Sequence, residues 1–431
     1  MSLFSFDIEK SYPQLKNNIS LLAVSGGVDS IVLTHLFSKT KFKFIIAHCN
    51  YGLRNKESEN DSFLVKKIAN SYNVDFFIKK FDTVQYSKKN KCSIQMAARE
   101  IRYNWFEELL IENNISNIVT GHHLNDQLET FLINLGRGSG IEGLIGIPES
   151  SRLVRPLLKF TKEEISNYAE QNKLKWNEDQ SNLKNDYLRN SIRNLVVPEL
   201  KKIMPDIEQN FKKTIYHIGS ANTALNNQIG LFKKTFFKQT QTGIKINLND
   251  LEKIKPKEFF LHSIFKEYGF ISSFELNKLI NSSPGKLISS ELFELLRDRD
   301  CLILREKLES SQKTYKINLI PQKLNSPFNI EISLKPFPEI INSIKVDPSL
   351  LNSTLEIKKS YPGAFFYPIG MSGRKKISKY FKDEKFSKFE KERQWILTSN
   401  NMVVWIIGKR ADRRFVTNIN SNKRMYIRID P

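Results

Sequence analysis

The 431-residue chain predicts an α/β protein with an N-terminal parallel-sheet domain, a central mostly helical domain and a small mixed α/β domain at the C-terminus. Three observations carry that reading. Short apolar runs of strand length alternate with helix-periodic segments through the front third, the pattern of a parallel sheet covered on both faces. From Thr161 onward the periodicity turns helical. The last hundred or so residues return to strands mixed with helices. A length of 431 residues asks for two to four domains, and an apolar share of 40% is enough to give them cores.

The elements follow in order. Ile19–Val24 (ISLLAV) is a buried strand ended by Ser25-Gly26-Gly27, and a helix runs from there through Leu36. Lys43–Ala47 is a second buried strand, Glu57–Ser71 a polar helix and Val74–Ile78 a third strand. A long helix fits Ile94–Ile111, and another strand fits Asn117–Thr120. Beyond Thr161, helices fit Glu164–Asn172 and Leu200–Ile218. Residues 219–318 read as mostly helical, with apolar stretches at Phe259–Phe265 and Leu292–Leu296. Ile320–Pro338, rich in Pro and Asn, reads as a linker holding one strand, and Val403–Ile407 is a strand of the final part. The domain boundaries expected from these shifts are 1–212, 213–325 and 335–431. Ligands of a parallel sheet bind at the carboxyl ends of its strands, so chemistry is expected in the turns after Val24, Ala47 and Thr120.

The net charge of +21 is unevenly spread. Residues 1–150 carry 17 basic and 16 acidic side chains, whereas 371–431 carry 16 basic and only 6 acidic. A neutral front joined to a basic tail points to a polyanionic partner held by the later domains. Three cysteines (Cys49, Cys92 and Cys301) with no CxxC pair exclude a disulfide framework, a zinc ribbon and a cysteine-ligated cluster. No secretory leader and no apolar run long enough to span a membrane are visible, so a reducing, cytoplasmic setting with no membrane partner is expected.

Ser25-Gly26-Gly27-Val28-Asp29-Ser30 lies between a buried strand and a helix. Glycines there can take positive φ and bring backbone N–H groups close to an anion, and the helix N-terminus adds its dipole. Ser25 and Ser30 supply hydroxyl groups, and Asp29 can help hold magnesium against phosphate. An ordinary strand–helix turn would also use small residues and an acidic first turn. His48-Cys49-Asn50-Tyr51-Gly52-Leu53-Arg54 follows the second strand, and Gly121-His122-His123-Leu124-Asn125-Asp126-Gln127-Leu128-Glu129-Thr130 follows a later one. Asp126 and Glu129, spaced i, i+3, project from one side of a helix start. They either complement the helix dipole or form an acidic pocket for a cationic substrate or metal. His122 and His123 lack a third ligand at suitable spacing, which favours a nucleotide-contacting or internally satisfied histidine over a metal site. Gly136-Arg137-Gly138-Ser139-Gly140 follows a helix instead of a strand and lacks the dinucleotide spacing, so it reads as a loop offering Arg137 to phosphate.

The hexapeptide resembles the pyrophosphate-binding loop of the N-type ATP pyrophosphatases, and no GxxxxGK[ST] loop occurs. The ordered set of motifs resembles one family more closely, the tRNA(Ile)-lysidine synthetases. Besides the segments above, it includes Arg155-Pro156-Leu157-Leu158, Glu178-Asp179-Gln180-Ser181-Asn182 and Tyr187-Leu188-Arg189-Asn190-Ser191-Ile192-Arg193. Gly373-Arg374-Lys375-Lys376-Ile377-Ser378-Lys379-Tyr380-Phe381 is similar to the family's C-terminal domain. Tyr51, Asn125 and Gln180 depart from the family pattern, which usually has His, Asp and Pro there.

The resemblance implies a two-step reaction on an isoleucine tRNA with anticodon CAU. ATP, with magnesium, adenylates the 2-oxo group of the wobble cytidine and releases pyrophosphate; the ε-amine of free lysine then attacks C2 and expels AMP. It implies nucleotide contacts from Ser25, Gly26, Gly27, Val28, Asp29, Ser30, His48, Asn50, Arg54 and His122. Asp29, Asp126, Glu129 and Arg137 become the expected catalytic set, with lysine held by Asp126 and Glu129. RNA contacts are expected from Arg189, Arg193, Arg374, Lys375, Lys376 and Lys379, and the family likeness leaves room for a homodimer. Two rivals share parts of the pattern. A tRNA thiolase shares the loop but usually carries the paired CxxC motifs missing here, and a nucleotide-sensing RNA-binding protein would have no use for Asp126 and Glu129.

Overall fold

The computed structural model describes residues 8, 10, 12–53, 56–178, 188–308, 313–324, 328–338, 342–416 and 424–430. The chain divides into two compact units, Met1–Leu225 and Asn226–Pro431.

The first unit is built on five parallel strands: β1 (Ile19–Ala23), β2 (Lys43–Asn50), β3 (Phe76–Lys80), β4 (Asn117–Thr120) and β5 (Leu153–Val154). Their order in the sheet is β3-β2-β1-β4-β5. Leu21, Leu22, Ile46, Ile118 and Val119 are buried, as the unbroken apolar runs require. Helices α1 (Val28–Ser38), α2 (Lys56–Ser71), α3 (Thr83–Asn90), α4 (Ile94–Glu112), α5 (Leu124–Gly136) and α6 (Lys162–Gln171) connect and cover the strands. Two separate cores show that both faces are covered. One gathers Leu22, Ile46 and Val119 with Val32, Leu36 and Phe37 of α1; the other sets Leu21, Ile45 and Ile118 against Trp105, Phe106 and Leu109 of α4. The strand order reverses between β1 and β4, so a crevice opens at their carboxyl ends. Val24–Gly27 forms one side of it and Gly121–His123 the other.

The second unit departs from the expected pattern. Helices occur where expected in α7 (Ile207–Phe236, which begins in the first unit), and in α8 (Leu248–Lys253), α9 (Lys257–Phe265) and α10 (Ser273–Ile280). They accompany a five-stranded antiparallel sheet that the pattern did not suggest, and Leu292–Leu296 falls largely on its strand Phe293–Asp298. Residues 320–338 are likewise more than a linker with one strand. Gln322–Leu324 and Asn329–Ser333 pair with each other, and the second also pairs with Met425–Asp430 in a four-stranded sheet. These strands are three to six residues long, too short for a strand period to stand out from a helical one. The unit has separate cores: one around Leu261, Phe265, Leu295 and Leu302, another around Leu355, Leu397, Trp405 and Ile427.

Candidate active site

The Ser25–Ser30 turn is shaped by its own last hydroxyl. Ser30 Oγ accepts from the backbone N–H groups of Ser25 (3.2 Å) and Gly26 (3.3 Å) and donates to Gly27 O (2.9 Å). Ser30 is buried and so shapes the loop from inside, while Ser25 is exposed at the mouth. Gly26 has φ +98°, and a Cβ there would lie 3.3 Å from Asp61 Oδ1, so both conformation and space call for glycine. Across the crevice, a Cβ on Gly121 would meet the backbone carbon of Asp29 at 3.2 Å. Strand β4 thus ends against the loop with room for no side chain.

Asp29, in the first turn of α1, is engaged by a residue the sequence reading missed. Lys162 Nζ lies 2.7 and 2.9 Å from its two carboxylate oxygens. Lys162 opens α6 behind a capping box, in which Glu164 N–H donates to Thr161 Oγ1 and Thr161 N–H to Glu164 Oε2. Its own N–H donates to Asn125 Oδ1 (2.9 Å), while Asn125 Nδ2 donates to Glu208 Oε1. Asn125 therefore uses one acceptor and one donor, which the aspartate usual at this position could not do. No local signal pointed to Lys162: its own first turn already carries Glu163 and Glu164, and its partner lies 133 residues away in sequence.

Helix α5 begins at the crevice with His123 as its N-cap. His123 Nδ1 accepts from Asp126 N–H (3.4 Å), and His123 N–H donates to Asp126 Oδ2 (3.0 Å). His123 Nε2 stands 3.8 Å from Asp29 Oδ1. His122 Nδ1 takes a hydrogen bond from Arg155 Nε (3.3 Å) and lies 2.8 Å from Thr120 Oγ1. Arginine can only donate, so Nδ1 is an acceptor and the ring proton sits on Nε2. Burial, opposed by Asp126 and reinforced by Arg155, Arg102 and Arg189, lowers the His122 pKa to about 4. The ring is a neutral donor at physiological pH. Arg155, the other missed residue, is 1% exposed and fixes that tautomer.

Asp126 and Glu129 share one side of α5, and two guanidinium groups satisfy them. Arg193 reaches Glu129 with Nε (2.6 Å) and Nη2 (2.9 Å), and Asp126 Oδ1 with Nη2 (2.9 Å). Arg189 Nε donates to Glu129 Oε2 (2.9 Å). Glu129 is buried, with both oxygens used. Desolvation alone would raise the Asp126 pKa, but His123, His122, Arg193 and the His123 N–H together hold it below the usual carboxylate range. Arg189 and Arg193, expected on RNA, are thus part of the acidic cluster.

The remaining candidates are placed differently. His48, buried at the end of β2, bonds Val24 O through Nδ1 (2.8 Å), and burial lowers its pKa. Its Nε2 has no hydrogen-bond partner. Asn50 is spent on its own loop, accepting from Gly52 N–H (3.0 Å) and donating toward Ser58 O, Glu59 and Ser62. Tyr51, where the family usually has His, stacks on Phe81. Arg54 and Gln180 lie outside the described residues. Arg137 is not brought to the crevice: it caps the far end of α5, 11 residues and therefore about 16 Å along the helix from Asp126. In the C-terminal part Arg374, Lys376 and Lys379 are exposed, whereas Lys375 is held by Asp383 at 2.7 Å. Among the described residues no group of three His, Cys, Asp or Glu side chains could hold a metal ion, and no helix is long and apolar enough to cross a membrane.

Two families match the chain: one described as a PP-loop domain over residues 3–200, and one described as the TilS substrate binding domain over residues 239–307. The chain is 35% identical over 412 residues to the tRNA(Ile)-lysidine synthase of Bacteroides thetaiotaomicron, covering 95% of this chain and 94% of that one. To the protein of the same name from Parabacteroides distasonis it is 34% identical over 418 residues, 94% of each chain. To that of Porphyromonas gingivalis it is 29% identical over 432 residues, 95% of this chain and 94% of the other.

Proposed function

From the premise that the chain belongs to the tRNA(Ile)-lysidine synthase family, we propose that it ligates free lysine to C2 of the wobble cytidine in an isoleucine tRNA with anticodon CAU. The protein is a ligase that uses ATP. In the proposed course the cytidine 2-oxo oxygen attacks the α-phosphate and pyrophosphate leaves; the lysine ε-amine then attacks C2 and AMP leaves. The observation that carries this reading is the meeting, at one strand-end crevice, of the Ser25–Ser30 loop with the Asp126 and Glu129 carboxylates.

The division of labour follows from the geometry. Oriented N–H groups at the start of α1 face the charge that grows on the leaving diphosphate. A lysine ammonium with its ordinary pKa near 10.4 arrives protonated, and carboxylates are needed to hold it. Asp126, kept ionised, suits binding and orienting that ammonium more than stripping its proton, which passes to solvent before the amine attacks C2. Glu129, enclosed by two arginines, suits the task of fixing Arg189 and Arg193, and an incoming ammonium competes with Arg193 for Asp126. His122, neutral with its proton on Nε2, suits donation to a nucleotide or base oxygen. In this structure Lys162 engages both oxygens of Asp29, which are open to magnesium only once the ammonium moves away. The ion is better written as part of the substrate, MgATP.

Residues 1–212 are proposed as the catalytic domain, with 213–325 and 335–431 as RNA-binding domains. The separate cores of the second unit support the latter division, and the exposed Arg374, Lys376 and Lys379 are proposed phosphate contacts. The test is one assay with α-labelled ATP, labelled lysine and the CAU isoleucine tRNA. AMP and lysine-bearing RNA are expected; ADP as product, or RNA free of lysine, would overturn the proposal. The thiolase rival lacks support from the chain's three cysteines, which lie at Cys49, Cys92 and Cys301, with Cys49 and Cys92 half-buried and Cys301 buried.

A further inference from the structure

Resting on the proposed cleavage of ATP between its α- and β-phosphates, we propose that Lys162 is the phosphate-binding cation of the Ser25–Ser30 loop, held ready on Asp29 and passed to the leaving diphosphate. Residues 25–30 contain no lysine or arginine. Backbone N–H groups carry only partial charges, and a departing diphosphate brings several full ones, so the loop alone is under-equipped. The fold supplies a cation from 133 residues away in sequence.

The way Lys162 is held suits that task. Its backbone is fixed by the Thr161–Glu164 capping box and by its N–H bond to Asn125. Its side chain, by contrast, is 42% exposed, beside an Asp29 that is 28% exposed. A partly exposed ion pair contributes little to stability, so a brace is a poor explanation for a lysine placed against the dipole of its own helix. The pair does keep the ammonium at the first turn of α1, one carboxylate away from the loop N–H groups. Phosphate oxygens bearing more charge can take over the ammonium from Asp29.

In the step itself the cytidine 2-oxo oxygen bonds to the α-phosphorus. The bond from that phosphorus to the oxygen bridging to the β-phosphate breaks, and its electron pair stays on the diphosphate. Lys162 keeps its proton throughout and neutralises the new charge. It is a binding group for the leaving group, and no acid or base role is assigned to it.

The test uses the full chain and inorganic pyrophosphate with magnesium, followed by calorimetry so that no turnover is needed. Lys162→Met should weaken pyrophosphate binding at least tenfold, with AMP affinity unchanged; Lys162→Arg should stay within about threefold of the parent. Asp29→Asn, which releases the ammonium, should leave pyrophosphate binding equal or tighter. Matched thermal midpoints for Lys162→Arg and the parent keep folding out of the comparison. Pyrophosphate binding by Lys162→Met within twofold of the parent would overturn the proposal, as would an equal loss in Asp29→Asn, the sign of a structural brace. Release of ADP by the parent would instead overturn the reaction on which the proposal rests, leaving the calorimetric result to judge Lys162 separately.

Discussion

The neutral state of His122 makes a prediction that can be followed at a single atom. Burial together with Arg155, Arg102 and Arg189 lowers its pKa from 6.5 to about 4, against the opposite pull of Asp126. That lowering corresponds to about 3 kcal/mol. The unfolded chain takes up this proton first, so the unfolded state binds more protons between pH 6.5 and 4. The contribution of His122 is therefore fully present above pH 6.5, falls as the pH drops toward 4, and is constant below. The chain has six histidines, so ring-proton NMR with a His122→Gln variant assigns the resonance. Its titration midpoint should lie near 4, and urea unfolding of the parent relative to His122→Gln should lose about 3 kcal/mol between pH 7 and pH 4. Asp126→Asn, which removes the one nearby charge favouring protonation, should move the midpoint lower still. The pH profile of kcat/KM should show no limb from this residue between pH 5 and 8. A midpoint near 6.5 would refute the burial argument.

Other predictions test the neighbouring groups. Asp126→Asn should raise the KM for lysine at least tenfold with ATP binding intact; unchanged lysine kinetics would remove Asp126 from the ammonium site. Glu129→Gln should cost about 2 kcal/mol of unfolding free energy, below the range for a fully buried pair because both arginines are partly exposed. A double-mutant cycle with Arg193→Met should show about 1 kcal/mol or more of coupling, and strict additivity would contradict the arrangement. Gly26→Ala should cost about 1–2 kcal/mol for its left-handed backbone and raise the KM for ATP, read by thermal unfolding and steady-state kinetics. Replacing Arg374, Lys376 and Lys379 together by alanine should lower the slope of log affinity for tRNA against log salt by about 2–3; an unchanged slope would place the RNA elsewhere.

What the sequence could reveal depended on how local the determining physics was. The runs at Ile19–Val24, Lys43–Ala47 and Asn117–Thr120 are buried on both faces, so each announces itself in its own residues, and observed strands lie within one to three residues of those ranges. The ligand edge followed from the parallel-sheet expectation, which puts ligands at the carboxyl ends of the strands. The short strands of the second unit were missed because Gln322–Leu324 offers a single apolar side chain, while the apolar run at Leu292–Leu296 is too short to tell a strand from a buried helix segment. In the site, motif residues were found but their partners were not. Nothing near Asp29 in sequence points to Lys162, and nothing near Glu129 points to arginines 60 and 64 residues away. Arg137, close in sequence to Asp126, is carried away from it by the rise of α5.

The charges at the crevice form a consistent scheme. Three carboxylates there are matched by cations from other segments, Asp29 by Lys162, Asp126 by Arg193 and Glu129 by Arg193 and Arg189. Unpaired, these acids would repel a triphosphate and one another, and the buried Glu129 would favour its neutral form. Paired, they present a polyanion with a crevice close to neutral, whose cations can turn toward it. When a guanidinium or ammonium group moves to phosphate, it leaves behind a carboxylate that then attracts a cationic nucleophile. Arrival of the nucleotide or RNA thus strengthens the place proposed for lysine, through electrostatics alone. The KM for lysine should therefore fall when tRNA is present. It should respond less to tRNA in Arg193→Met, whose Asp126 is already released, and an equal response in both proteins would break the link.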